Sequence, residues 1–123
     1  MPIDRFQHVN IRTTDVERAR DFYERALGLG VGDRPPFASV GYWLYLGGEP
    51  VVHLVQVAPG ESRDPGSGRL DHIAFRGVDL DGTRRALQAA GIAFRETVVP
   101  RDNTAQIFIH DPDGLKLEIN FEH

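Results

Sequence analysis

Leu70-Asp71-His72-Ile73-Ala74-Phe75-Arg76 reads as a second writing of Phe6-Gln7-His8-Val9-Asn10-Ile11-Arg12, 64 positions further along the chain. In both stretches a polar residue precedes a histidine, and a run rich in β-forming residues ends in arginine. The same shift carries Asp15 onto Asp79, Val16 onto Leu80 and Arg20 onto Arg84. A shift of 65 carries Val51-Val52-His53-Leu54 onto Lys116-Leu117-Glu118-Ile119. These identities are few, but they recur in one order, which points to a small module used twice.

The elements around them repeat as well. Residues 5 to 12 alternate as a strand with Phe6, His8 and Asn10 on one face. Thr14-Asp15-Val16-Glu17 fits a capping box with Thr14 as the cap, followed by apolar residues at helical spacing from Val16 to Leu27. Pro35-Pro36 limits residues 30 to 37 to an edge strand or loop. Ser39 to Leu46 and Val51 to Val57 alternate as strands around a Gly47-Gly48 turn, with His53 in the middle of the second. In the second half, Arg69 to Arg76 reads as a strand, and Asp79 caps a helix that ends at Gly91. Strands are expected over Ala93–Val99, Asn103–His110 and Leu115–Phe121, the last two joined by the tight turn Asp111-Pro112-Asp113-Gly114. Residues 59 to 69, rich in Pro, Gly and Ser, form the linker. The reading is one α+β domain over 1–123, with module one at 4–58 and module two at 70–122.

Composition narrows the function. A net charge of −4 argues against nucleic-acid binding, which needs a basic patch or stripe. No apolar run approaches the roughly 18 residues of a membrane span, and the start lacks a signal-peptide profile. A cytoplasmic protein is therefore expected. With no cysteine, thiolate metal sites and thiol nucleophiles are excluded.

One polar residue stands mid-strand at four equivalent places: His8, His53, His72 and Glu118. An isolated strand histidine is ordinarily a solvated or hydrogen-bonded residue. A mid-strand glutamate between Leu117 and Ile119 needs a cation, a partner or exposure, because an unpaired buried carboxylate is costly. Their fourfold placement is what points to a divalent metal (Zn, Ni, Fe, Mn or Co) held by three imidazoles and a carboxylate. His110 and His123 read as rim or solvated residues. Asp111 and Asp113 belong to turn chemistry, since the loop does not match an EF-hand.

Gln7-His8-Val9-Asn10-Ile11 with Asp15, Phe22-Tyr23 and Leu27-Gly28 resembles the opening of glyoxalase-like proteins of the vicinal oxygen chelate superfamily. Leu70-Asp71-His72-Ile73-Ala74-Phe75 and Ile107-Phe108-Ile109-His110-Asp111-Pro112-Asp113-Gly114 through Leu117-Glu118-Ile119 extend the likeness over essentially the whole chain. The resemblance implies two tandem βαβββ modules whose curled mixed sheets form a metal cleft. Carried over position by position, the ligands are His8, His53, His72 and Glu118. By family position Trp43, Tyr45, Gln106 and Phe108 line the cleft, with Arg101 and Asn103 at its mouth; strand parity adds Asn10 beside His8, Val51 and Val55 beside His53, and Lys116 and Asn120 beside Glu118.

The resemblance further implies a small-molecule substrate chelated by two neighbouring oxygens and Lewis-acid catalysis, with modules that pair within a chain or swap between two chains; a homodimer is the expectation. Glyoxalase I enzymes carry Glu where this chain has His53, so lactoylglutathione lyase activity itself is not implied. The leading expectation is a metal-dependent lyase or isomerase in which Glu118 or His53 transfers a proton. An Fe²⁺ extradiol-type dioxygenase acting on a catechol is the alternative, and a non-catalytic small-molecule binder is the second. A fosfomycin-type site needs several basic residues, of which Arg101 alone is in place. Antibiotic-binding relatives lack the metal ligands and fit least.

Overall fold

Asp15 and Asp79, one shift apart in sequence, each begin a helix in the computed structural model, which describes residues 5–59, 72–99 and 103–122. The Asp15 carboxylate accepts the Arg18 N–H at 3.1 Å, and the Asp79 carboxylate accepts the Gly82 N–H at 2.9 Å. Each satisfies one of the donors that a helix start leaves open. The cap is therefore Asp15 and not Thr14. Thr14 lies one residue too early, and Glu17 sits inside the first turn. The reach back to the helix start comes from elsewhere. The Gln56 side-chain carbonyl accepts the Val16 N–H at 2.9 Å, and its amide donates to the Thr14 carbonyl at 2.7 Å.

The chain divides into two units, Met1–Ser62 and Arg63–His123. The first contains β1 (Val9–Thr13), α1 (Val16–Leu27), β2 (Gly30–Gly32), β3 (Gly41–Leu46) and β4 (Glu49–Gln56), with sheet order β1-β4-β3-β2. The second contains β5 (His72–Arg76), α2 (Leu80–Ala89), β6 (Arg95–Val98), β7 (Ala105–His110) and β8 (Lys116–Phe121), with order β5-β8-β7-β6. In each sheet the first and last strands pair in parallel and the other neighbours are antiparallel. The fold is α+β, with two tandem βαβββ modules. The edge strand expected between residues 30 and 37 is β2, which stops before Pro35-Pro36. The expected strand before His72 lies at residues 69 to 71, outside the described residues, as does most of the linker.

Register repeats with the topology: Asn10 lies opposite His53, and Ala74 opposite Glu118. Alternation then sorts each sheet into two faces. The helix-side face of unit one holds Leu44, Val52 and Leu54, fully buried with Ala19 and Tyr23 of α1. The corresponding core of unit two holds Ile107, Ile109, Leu117 and Leu87. Such side chains contribute roughly 1.5–3 kcal/mol each on burial, which is what fixes the strand register. The equivalent arginines bind each helix to its sheet, Arg20 through the Tyr42 hydroxyl at 2.9 Å and Arg84 through Glu96 at 2.6 Å. Glu96 holds the Arg84 guanidinium above its ordinary pKa range, and Arg84 in turn lowers that of Glu96.

The turns follow the sequence. Gly47 and Gly48 both take positive φ (59° and 85°), as a two-residue hairpin turn requires. Asp111 is buried and accepts the N–H groups of Asp113 and Leu115 at 2.9 Å each, so it organises the turn before β8.

Candidate functional site

Of the four residues expected mid-strand, only His53 and Glu118 stand there: β1 covers Val9–Thr13 rather than the expected 5 to 12, so His8 immediately precedes it, and His72 opens β5. All four fall on the side of the sheets turned away from the helices, and each unit brings two of them together. In unit one His53 is 8% exposed and forms the middle of a ring stack. Its centroid is 3.9 Å from that of His8 with planes 10° apart, and 4.1 Å from Trp43 with planes 13° apart. Phe37 continues the column at 6.2 Å from Trp43 in a tilted arrangement, and the Arg34 guanidinium lies 5.1 Å from the Phe37 centroid. Register produces the column, because Trp43 lies opposite His53. Gly41, opposite Val55, lets β3 lie close to β4 and to Arg34: a Cβ there would strike the Leu54 carbonyl and crowd Arg34 Nη2.

His53 Nε2 lies 3.0 Å from the Pro50 carbonyl. A carbonyl only accepts, so Nε2 carries the proton and Nδ1 holds the free lone pair. Burial pushes the His53 pKa below its ordinary value. The charge of His8 adds to this, the bond to Pro50 opposes it, and Arg34 lowers it further. His53 is thus kept neutral. His8 Nδ1 is 2.9 Å from the Gln7 side-chain oxygen. Next to the stack a pocket of about 310 Å³ is lined by Arg5, Gln7, Trp43, Glu49, Pro50 and His53. Arg5 and Glu49 are ion-paired there at 2.7 Å.

Unit two builds its pair from charge and hydrogen bonds. His72 Nε2 lies 3.4 Å from Glu118 Oε1, and the Glu118 side chain is 13% exposed. The other carboxylate oxygen accepts from the Asn120 amide at 2.8 Å. Asn120 accepts from the Gln106 amide at 3.1 Å, and Gln106 accepts from the Thr97 hydroxyl at 3.0 Å. The chain crosses one rung of β6, β7 and β8, since Thr97, Gln106 and Asn120 are register partners. Each member donates toward Glu118, which fixes the carboxylate's rotamer.

These pairs differ in how they suit a metal. Two ligands at roughly 2.0–2.2 Å from a tetrahedral ion stand roughly 3.3–3.5 Å apart, the separation of His72 Nε2 and Glu118 Oε1. An imidazole ligates along a lone pair in its own plane. The near-parallel planes of His8 and His53 share no such point, so joint ligation requires one ring to leave the stack. Within each unit the described residues supply a pair of candidate ligands and no group of three.

Among the other expected residues, Asn10 is exposed opposite His53, and Trp43 and Gln106 take part in the contacts above. Phe108 lies opposite Glu118. Tyr45 follows a register shift after Leu44, stands opposite Pro50 and donates its hydroxyl to the Asp33 carbonyl at 2.6 Å. Asn103 is exposed with φ 58°. Arg101 lies outside the described residues. Pro50, Arg34, Gln7 and Thr97 were not expected. Asn120, two residues beyond Glu118, stands on the same face, as strand parity expects.

A pair of βαβββ modules with the same strand order, a histidine at the entry to each first strand and a polar residue in the middle of each last one, defines a class of protein. The sequence profile of the Glyoxalase/Bleomycin resistance protein/Dioxygenase superfamily matches residues 5–119, and the chain belongs to that family. It is 33% identical over 125 residues to a lactoylglutathione lyase of Salmonella typhimurium, covering 94% of this chain and 90% of that one. It is 29% identical over 119 residues to Glyoxylase I 4 of Arabidopsis thaliana, covering 91% of this chain and 67% of that one. The crystal structure of a glyoxylase/bleomycin resistance protein/dioxygenase domain from Frankia sp. EAN1pec superposes with a TM-score of 0.79 at 20% identity, over 98% of this chain and 99% of that one, which establishes the shared fold. No helix among the described residues is long and apolar enough to cross a membrane.

Proposed function

We propose that this chain is a divalent-metal-dependent lyase or isomerase of the glyoxalase-like type, acting as a homodimer on a small metabolite with two neighbouring oxygens. The observation that carries this reading is the Glu118 carboxylate, held 3.4 Å from His72 and oriented by Asn120. His8, His53, His72 and Glu118 would hold the metal, which supplies Lewis-acid polarisation of the substrate oxygens. The protein's own groups do the rest. Released from the metal, neutral His53 offers Nδ1 as an uncharged acceptor, or Glu118 offers Oε1. Either can take a proton from a carbon beside a carbonyl and return it to the neighbouring carbon. Trp43 and His8 cover the two faces of the His53 ring, and Asn120 keeps Glu118 from turning away.

Chelator-treated protein reloaded with Zn²⁺, Ni²⁺, Mn²⁺, Co²⁺ or Fe²⁺ tests this through metal content and turnover of lactoylglutathione and related thioesters. About one ion per chain, lost in Glu118→Gln, is expected. A protein that retains no ion after reloading would contradict the reading. Oxygen uptake on catechols by the Fe²⁺ form would instead identify a dioxygenase.

A further inference from the structure

Two opposite charges meet at the pocket beside the ring stack. Arg5 stands in the segment that precedes β1, and Glu49 opens β4 directly after the Gly47-Gly48 turn. Their ion pair, Arg5 Nη2 to Glu49 Oε1 at 2.7 Å, joins these segments at the cavity of about 310 Å³. Both side chains are more than half exposed, so neither belongs to the core. The remaining lining is Gln7, Trp43, Pro50 and His53. Trp43 and Pro50 give it an apolar wall. The Gln7 side-chain oxygen faces His8 Nδ1 at 2.9 Å, which leaves the Gln7 NH2 group as a donor. Arg34 lies against Phe37 and does not line the cavity.

The lining thus carries one positive and one negative charge held in contact, and no other side chain in it is ionised at about pH 8. A carboxylate entering here meets Glu49 together with Arg5, and an ammonium meets Arg5 together with Glu49. Either ion leaves its water with no net opposite charge to receive it, which is costly. An uncharged planar group gives up less hydration, packs on Trp43 and Pro50, and can take the Gln7 donor on a carbonyl oxygen. The volume is about twice that of a cavity that holds benzene, which is room for one substituted ring.

We propose that this pocket takes an uncharged, planar, carbonyl-bearing group of the substrate, and that the Arg5–Glu49 pair selects against charged ends. Both residues set specificity and neither is catalytic. The inference rests on the function proposed above in treating this cavity, which His53 lines, as the seat of the substrate.

The test is a titration of ¹⁵N-labelled, chelator-treated full-length protein at about pH 8 with three ligands that share one ring: benzamide, benzoate and benzylammonium. The single indole N–H resonance of Trp43 and the amides of Gln7 and His53 report binding. Saturable shifts with benzamide are expected, and each ion should bind at least about tenfold more weakly. Glu49→Gln releases Arg5 and should tighten benzoate about fivefold, whereas Arg5→Gln releases Glu49 and should tighten benzylammonium about fivefold. Glu17→Gln on exposed α1 should change none of the three affinities. No saturable shift with benzamide, an ion that binds the unaltered protein as tightly as benzamide, or ion affinities that neither variant moves would overturn the inference. Selectivity intact in a protein that retains no metal on reloading counts against the metal reading alone. Metal retained with selectivity absent counts against the pocket alone.

Discussion

His53 and Glu118 occupy the same place in two copies of one module, yet their surroundings are opposite in kind. Opposite His53 lies Trp43, and opposite Glu118 lies Phe108. His53 is sandwiched between rings and kept neutral by burial. Glu118 is held by a donor chain from three strands and faces a histidine. One edge strand is the glycine-rich β2, and the other, β6, carries Arg95 toward the open face and Glu96 toward the helix. The two units thus share the strand pairing around His53 and Glu118, while one surrounds its residue with rings and the other with polar groups. The difference shows that equivalent position fixes where a side chain stands but not what it does there.

The first way to break this comparison is to attack the two cores. Leu54→Ala and Leu117→Ala each remove a fully buried side chain from the helix-side face and should cost about 2–5 kcal/mol in chemical denaturation. A cost confined to one of them would mean that the two cores do not contribute alike.

A second substitution separates the polar unit from the aromatic one. Asn120→Leu removes the donor to Glu118 and should weaken metal affinity by about 10–100-fold, measured by calorimetry, as loss of an outer-shell partner does. Gln106→Leu, one step further along the chain, should do less. Equal effects from both, or none from either, would show that the hydrogen-bond chain does not position Glu118.

The aromatic unit predicts a pH effect. Folded His53 takes up a proton less readily than it does in the unfolded chain, whose value is about 6.5. The stability held by the neutral ring is therefore whole above about pH 6.5 and declines as pH falls toward the folded value. Trp43→Leu should expose His53, move its titration back toward about 6.5 in chelator-treated protein and flatten that decline. It should also remove a stacking contribution of about 0.5–1.5 kcal/mol. An unchanged His53 titration would show that Trp43 does not shield the ring.

Much of the frame was legible in the sequence because it depends on local pattern. The cap of the second helix at Asp79 was read from its residue type, alternation assigned Asn10, Lys116 and Asn120 to their faces, and the Asp-Pro-Asp-Gly turn was read from its residues. Two kinds of feature were not legible. Thr14-x-x-Glu17 reads as a capping box, whereas the acceptor that completes the α1 start, Gln56, lies 40 residues away on β4. The ring stack and the Thr97 chain depend on which residues face one another across strands, and that register is set by packing. The irregularity between Leu44 and Tyr45 shows the cost, since it takes Tyr45 to Asp33.

Trp43 is the sole tryptophan, and it lies against His53, which in turn lies against His8. Titration of chelator-treated protein with Zn²⁺, followed by Trp43 fluorescence and by calorimetry on the same sample, therefore tests whether the two unlike pairs serve one centre. The account predicts saturation near one ion per chain, with emission changing in step because a histidine ring must leave the stack to ligate. Saturation with no change in Trp43 emission, or no saturable binding, would contradict it.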